Sequence, residues 1–131
     1  MINDLRRGID PKRKVSTLRE TLEAYLAARK NLRPASVRMY RQIEGTLEPW
    51  LDLQLKDITG EMIEERHRAL AAATSRVVGS RRYDGTSTAN YSMRVFRILW
   101  NFAAERMPDL PPNPVRRLKR QWYAEPRIRG W

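Results

Sequence analysis

The sequence predicts an all-α protein, a compact bundle of four main helices plus a short C-terminal helix. Three observations carry that expectation. Ala89, Met93, Phe96, Trp100, Ala103 and Met107 recur at spacings of 4, 3, 4, 3 and 4, which is one apolar stripe on a helix. Prolines break the chain at helical intervals, at Pro34, Pro49 and the group Pro108, Pro111, Pro112 and Pro114. No stretch alternates apolar and polar residues convincingly, so no sheet is expected.

Residues 1–14 hold Lys12-Arg13-Lys14, Gly8 and Pro11 without apolar periodicity and read as a flexible basic arm. The helical domain is expected over residues 15–123. Its first helix opens at Thr17-Leu18-Arg19-Glu20, a capping box in which the Thr17 hydroxyl accepts from the Glu20 amide while the Glu20 carboxylate reaches back. Leu18, Leu22, Tyr25 and Leu26 follow on one face. Pro34 marks the break, because the residue before a proline is pushed out of the helical region. A second helix starts near Ala35 or Ser36, carries Val37, Tyr40, Ile43 or Glu44 and Leu47, and ends at Pro49. Trp50, Leu51, Leu53 and Leu55 read as a hydrophobic connection packed under the domain.

Thr59 is the expected cap of a third helix with Met62, Ile63, Leu70 and Ala73 on its periodic positions. Ser75–Thr86, with Gly79, Ser80, Asp84 and Gly85, reads as a loop made basic by Arg76, Arg81 and Arg82. The fourth helix bears the stripe already described, broadened by Val95, Leu99 and Phe102. Asn113-Pro114 looks like a cap followed by proline at the first helical position, opening the short last helix with Val115, Leu118 and Trp122. Residues 124–131 read as a linker.

Composition narrows the function classes. The chain has 131 residues, 41% hydrophobic and 31% charged, which suits one domain and excludes wholesale disorder. It has no cysteine, which excludes a disulfide framework, a thiolate nucleophile and a Cys-ligated zinc. His67 is the single histidine, so His-rich metal sites and most His-paired triads fall away, and no cofactor is expected. The apolar runs are too short for a membrane span. Asp4, Arg6, Arg7 and Asp10 interrupt any signal-peptide core after Met1. A cytosolic protein is expected.

The formal net charge is +11, and 21 of the 26 basic residues are arginine. Residues 1–34 balance at +5, residues 35–75 at −2 and residues 76–131 at +8, so the ends are basic and the middle is not. Arginine forks suit phosphate and guanine, and a polyanion, most commonly nucleic acid, is the natural partner. A merely solvated basic surface is the plain alternative.

No catalytic constellation assembles. Glu61, Glu64 and Glu65 sit near arginines on a helix, where an ion-pair face accounts for them, and there is no Gly-rich phosphate loop. His67 lies between Ile63 and Leu70, close to the apolar seam, and reads as a partly buried or boundary histidine. A binding surface is easier to find. Opposite the Met93/Phe96/Trp100 stripe, Asn90, Arg94, Arg97 and Asn101 share a face, and these are side chains that suit base edges and phosphates. The second helix offers Ser36, Arg38, Arg41 and Gln42, with pairing of Arg38 and Arg41 to Glu44 and Glu48 as the plain alternative. Tyr25, Tyr40, Phe96, Trp100 and Phe102 fall on apolar stripes and read as core, whereas Tyr83 and Tyr91 are freer.

Several of these segments resemble a known family. Thr17-Leu18-Arg19-Glu20 running into Tyr25-Leu26, then Leu32-Arg33-Pro34-Ala35-Ser36-Val37-Arg38-Met39-Tyr40, is similar to the opening of the core-binding domain of tyrosine recombinases, the phage integrases. Ser36 four residues before Tyr40, Pro49, Leu55-Lys56-Asp57-Ile58-Thr59, Thr88-Ala89-Asn90 and Asn113-Pro114-Val115 follow in the family's order. The chain departs from the pattern at Trp50-Leu51-Asp52, where a glycine is usual, and in a longer Ser75–Thr86 loop. The resemblance spans residues 15 to 123 and implies a SAM-like helical domain forming half of a clamp on double-stranded DNA.

In that family the second and fourth helices approach the major groove, and a separate domain supplies an arginine, a lysine, a His-x-x-Arg box and a tyrosine nucleophile. His67 is followed by Arg68, Ala69 and Leu70, so that box is missing and none of the catalytic set transfers. The resemblance therefore implies a non-catalytic, DNA-gripping piece of an integrase for site-specific recombination. Its expected DNA contacts are Lys12, Arg13, Lys14, Ser36, Arg38, Arg41, Gln42, Thr88, Asn90, Arg94, Arg97 and Asn101. Neighbouring integrase subunits are further partners in a full-length assembly, and the domain alone is expected to be monomeric. Two other readings stay open: a helical protein-interaction adaptor whose basic ends bind an acidic partner, and a small RNA-binding helical protein.

Overall fold

Thr17 begins the first helix by the expected mechanism. Its hydroxyl accepts from the Glu20 amide at 3.1 Å, and Glu20 Oε1 accepts from the amides of Thr17 at 3.1 Å and Ser16 at 3.0 Å. The computed structural model describes residues 16–73, 76–78, 81–83 and 85–123. The arm at residues 1–14 and the linker at 124–131 lie outside the described residues, and with them Lys12, Arg13 and Lys14. Helix α1 spans Leu18–Ala28 and buries Leu18, Leu22, Ala24 and Tyr25. The hydrophobic connection pairs with its start: Leu18 and Arg19 donate their amides to Leu53 and Leu51, Leu55 donates to Ser16, and Arg19 bonds Asp52 at 2.9 Å. Trp50, Leu51 and Leu55 are buried under the domain as expected.

The second helix comes in two pieces, α2 (Pro34–Arg41) and α3 (Ile43–Thr46). Pro34 opens α2 at its first turn, where the missing N–H costs nothing. The helical run stops before Pro49, and Pro49 itself sits in a 3-10 turn, Glu48–Trp50. Arg66 satisfies the open end of α3, donating through Nε and Nη2 to the Thr46 carbonyl at 2.9 and 2.6 Å. Thr59 caps α4 (Gly60–Ala73), its hydroxyl accepting from the Met62 amide at 3.2 Å.

The Ser75–Thr86 loop requires correction. Arg76–Val78 (β1) and Arg81–Tyr83 (β2) pair antiparallel, with Val77 opposite Arg82. The protein is mostly helical, with this small hairpin joining α4 to α5 (Thr86–Ala104).

Helix α5 is the axis of the domain. Ala89, Met93, Phe96, Leu99 and Ala103 are fully buried, with Val95, Trp100 and Phe102 nearly so. It packs on α1, α3 and α4 and on the C-terminal 3-10 segment, Pro114–Gln121. Edge-to-face contacts of Phe96 with Trp50 at 5.6 Å and of Tyr25 with Phe102 at 5.3 Å lock α5 to the underlying connection and to α1. Asn113 caps the C-terminal segment, its side-chain oxygen accepting from the Val115 amide at 3.0 Å. Val115 and Leu118 bury against α4, and Trp100 Nε1 donates to the Pro111 carbonyl at 3.1 Å, tethering the proline-rich approach.

Candidate nucleic-acid interface

The strip that α5 turns to solvent is set by how widely its apolar face is buried. Ten of its residues are buried, including the polar Asn90 and Ser92. The remaining surface runs through Ser87, Thr88, Tyr91, Arg94, Arg97, Ile98 and Asn101. Arg94, Arg97 and Asn101 thus lie on the surface as expected, and Tyr91 stands where Asn90 was expected.

Asn90 does not face solvent. It is 1% exposed, and its amide is engaged on both sides: Nδ2 donates to the Tyr123 carbonyl at 2.6 Å, and Oδ1 accepts the Tyr123 amide at 3.1 Å. The same oxygen lies 2.8 Å from His67 Nε2. A side-chain amide that clamps a backbone in this way cannot also read a base edge. His67 is itself buried, stacked on Tyr123 at 4.6 Å between ring centroids and edge-on to Trp122 at 5.8 Å. Burial pushes its pKa below the usual histidine value and Arg68 adds to this, while the Asn90 hydrogen bond opposes them.

Arg41 is partly exposed, but carboxylates engage its guanidinium. Its Nη1 and Nη2 bond the Glu23 carboxylate at 2.6 and 2.9 Å, and Nη1 also reaches Glu44 at 3.0 Å. The Glu23 hydrogen bonds raise its pKa further. This fork ties α2 to α1, so Arg41, one of the expected DNA contacts, serves as an ion pair within the domain. Arg38 and Gln42 are exposed, and Ser36 is half-buried in the first turn of α2.

The α2 helix packs on α1 through its tyrosine. Tyr40 on α2 packs edge-on against Tyr25 at 5.2 Å, with the two hydroxyls 3.3 Å apart. Burial and that hydrogen bond push the Tyr25 hydroxyl up to about 12. The Tyr91 hydroxyl is raised by burial first and by Tyr40 second, and lowered by Arg94, so Tyr40, Tyr91 and Arg94 share one neighbourhood. Beyond it the Arg97 guanidinium lies 5.6 Å over the Trp122 ring. Arg94, Arg97, Trp122, Tyr123 and Asn90 line a shallow cleft of about 270 Å³. Asn101 is exposed, its Oδ1 accepting from Asn113 Nδ2 at 3.3 Å. Thr88 is half-buried at the start of the strip.

Helix α5 carries no carboxylate, and Glu105 follows only after its last turn. A face of arginines, amides and tyrosine without acids attracts an anion and gives it directional donors. Among the described residues, no group of three or more His, Cys, Asp or Glu is placed to hold a metal ion, and no helix is long and apolar enough to cross a membrane. Sequence reasoning gave Tyr91 and Trp122 no place in the binding face. It also passed over Lys56, Arg116, Arg117 and Lys119, although three cations within four residues was a visible signal. Comparison with known protein families, with curated proteins and with solved structures finds no match to this chain.

Proposed function

We propose that the protein grips duplex DNA as the SAM-like core-binding domain of a tyrosine-recombinase integrase, with recombination chemistry supplied outside its own residues. One observation carries the reading: Arg94 and Arg97 stand on a surface strip of α5 that has no acid, and Arg38 is exposed on α2. Arg94 and Arg97 serve phosphates and base edges, and Arg38 and the half-buried Ser36 serve phosphates from α2. His67 and Asn90 act behind this face by holding Tyr123, and with it Trp122, against Arg97.

An amide-resolved NMR titration with a random 16-base-pair duplex, at low and at moderate salt, tests this. Shifts concentrated on Ser36–Gln42 and Thr88–Asn101, fading as salt rises, are expected. Absence of shifts at low salt overturns the proposal. A protein-binding adaptor is the rival reading. Met39 at 46% exposure and Ile98 at 36% favour it, as large apolar side chains left on the surface of the same two helices. Under that reading an acidic protein segment, not the duplex, shifts those residues.

A further inference from the structure

We infer that Lys56, Arg116, Arg117 and Lys119 form a second phosphate-gripping surface, which takes backbone phosphates of the same duplex beyond the α5 strip. The inference rests on the duplex-binding reading above. The surface is a cleft of about 490 Å³ between the start of α4 and the C-terminal 3-10 segment, with Trp100 also in its lining. Four cations line it and no carboxylate does. Arg117 is the member with an acidic partner, its Nε 3.4 Å from Glu64, which also accepts from Gln121 Nε2 at 2.8 Å. Lys56, Arg116 and Lys119 make no ion pair with another described residue. Four cations with one acidic partner among them repel one another, and a bound polyanion relieves that repulsion.

The arrangement depends on close packing. A Cβ at Gly60 would come within 3.1 Å of Arg117 Cβ and Cγ, so the segment approaches α4 this closely because position 60 has no side chain. Lys119 has φ 42° and ψ −102°, a conformation that a residue with a side chain keeps only when its surroundings hold it.

Continuity with α5 identifies the occupant. Asn113 lines the cleft, and its Nδ2 reaches the Arg97 carbonyl at 3.4 Å and Asn101 Oδ1 at 3.3 Å. From Arg94 to Asn101 the helix rises ~10 Å, at ~1.5 Å per residue. That matches the axial rise of about three base pairs of duplex, at ~3.4 Å of helix axis per phosphate on each strand. A backbone tracking α5 therefore runs into the cleft, and the arginine forks there match phosphate oxygens.

The test is the salt dependence of binding to the 16-base-pair duplex, read by fluorescence anisotropy, for the wild-type chain and for Lys56→Gln/Arg116→Gln/Lys119→Gln. All three side chains are exposed, and unchanged thermal unfolding verifies the fold of the variant. Each lost phosphate contact lowers the slope of log K against log salt by ~0.9, so a drop of ~2–3 is expected, with roughly 100-fold weaker binding near 0.1 M salt. If the slope is unchanged while Arg94→Ala/Arg97→Ala lowers it, the cleft falls and the duplex-binding reading stands. If the wild-type chain does not bind the duplex, both fall. If a poly-glutamate peptide protects the cleft amides from exchange and the duplex does not, the cleft serves an acidic protein and the inference is overturned.

Discussion

Replacing Asn90 by alanine separates a clamp from a base reader. The substitution removes three hydrogen bonds, two to the Tyr123 backbone at 2.6 and 3.1 Å and one to His67 at 2.8 Å. Each contributes about 1 kcal/mol net, and a donor left unpaired inside the protein costs a further 1–3 kcal/mol. The His67 ring is 1% exposed, so water does not replace its lost partner, whereas the half-buried Tyr123 recovers part of its loss from solvent. The expected destabilisation is therefore about 2–4 kcal/mol, read as a lower urea midpoint with an unchanged m-value. In thermal unfolding of a domain this size it corresponds to a fall in Tm of ~10–20 °C. Hydrogen exchange at the Tyr123 amide accelerates more than exchange in α1, because the clamp closes the chain there. A loss below about 0.5 kcal/mol, or intact stability with duplex affinity lost, refutes the clamp and returns Asn90 to the DNA face.

Four other substitutions and one pH profile follow from the same geometry. Stability falls as the pH drops below about 6.5, because His67 is held below its ordinary pKa and the unfolded chain takes up that proton first; above 6.5 both states are neutral and the contribution is complete. His67→Gln flattens this acid limb in urea titrations at stepped pH. Arg41→Gln breaks the fork to Glu23 and Glu44, whose side chains are 38% and 39% exposed, and costs about 0.5–1.5 kcal/mol in urea unfolding. It leaves duplex affinity less changed than Arg38→Gln does, as anisotropy will read. Trp100→Phe removes the bond to the Pro111 carbonyl and part of a buried ring, and costs about 2–3 kcal/mol in thermal unfolding, with faster exchange around Asn113.

What the sequence made legible was local. The Thr17/Glu20 capping box, the Asn113-Pro114 start and the α5 stripe each depend on residues within a few positions of one another, and each is found where the pattern put it. The departures are tertiary. Periodicity located the centre of the α5 apolar face but not its width, which is set by α1, α3, α4 and the C-terminal segment packing around it. That is why Asn90 went inward and Tyr91 took its place. Arg41 had Glu44 beside it in sequence, but its stronger partner, Glu23, comes from α1 and has no sequence signal. The hairpin escaped because its strands are three residues each, too short to show alternation. His67 was rightly read near the apolar seam, yet the Tyr123 ring that stacks on it lies 56 residues away.

The most direct experiment compares the wild-type chain with Arg94→Ala/Arg97→Ala for affinity to a random duplex at ~0.05 M salt, with Tm measured alongside. The proposal predicts duplex binding by the wild-type chain, at least tenfold weakened in the variant, with Tm within a few degrees. Equal affinity of the two chains, or no duplex binding by the wild-type chain at that salt, contradicts it.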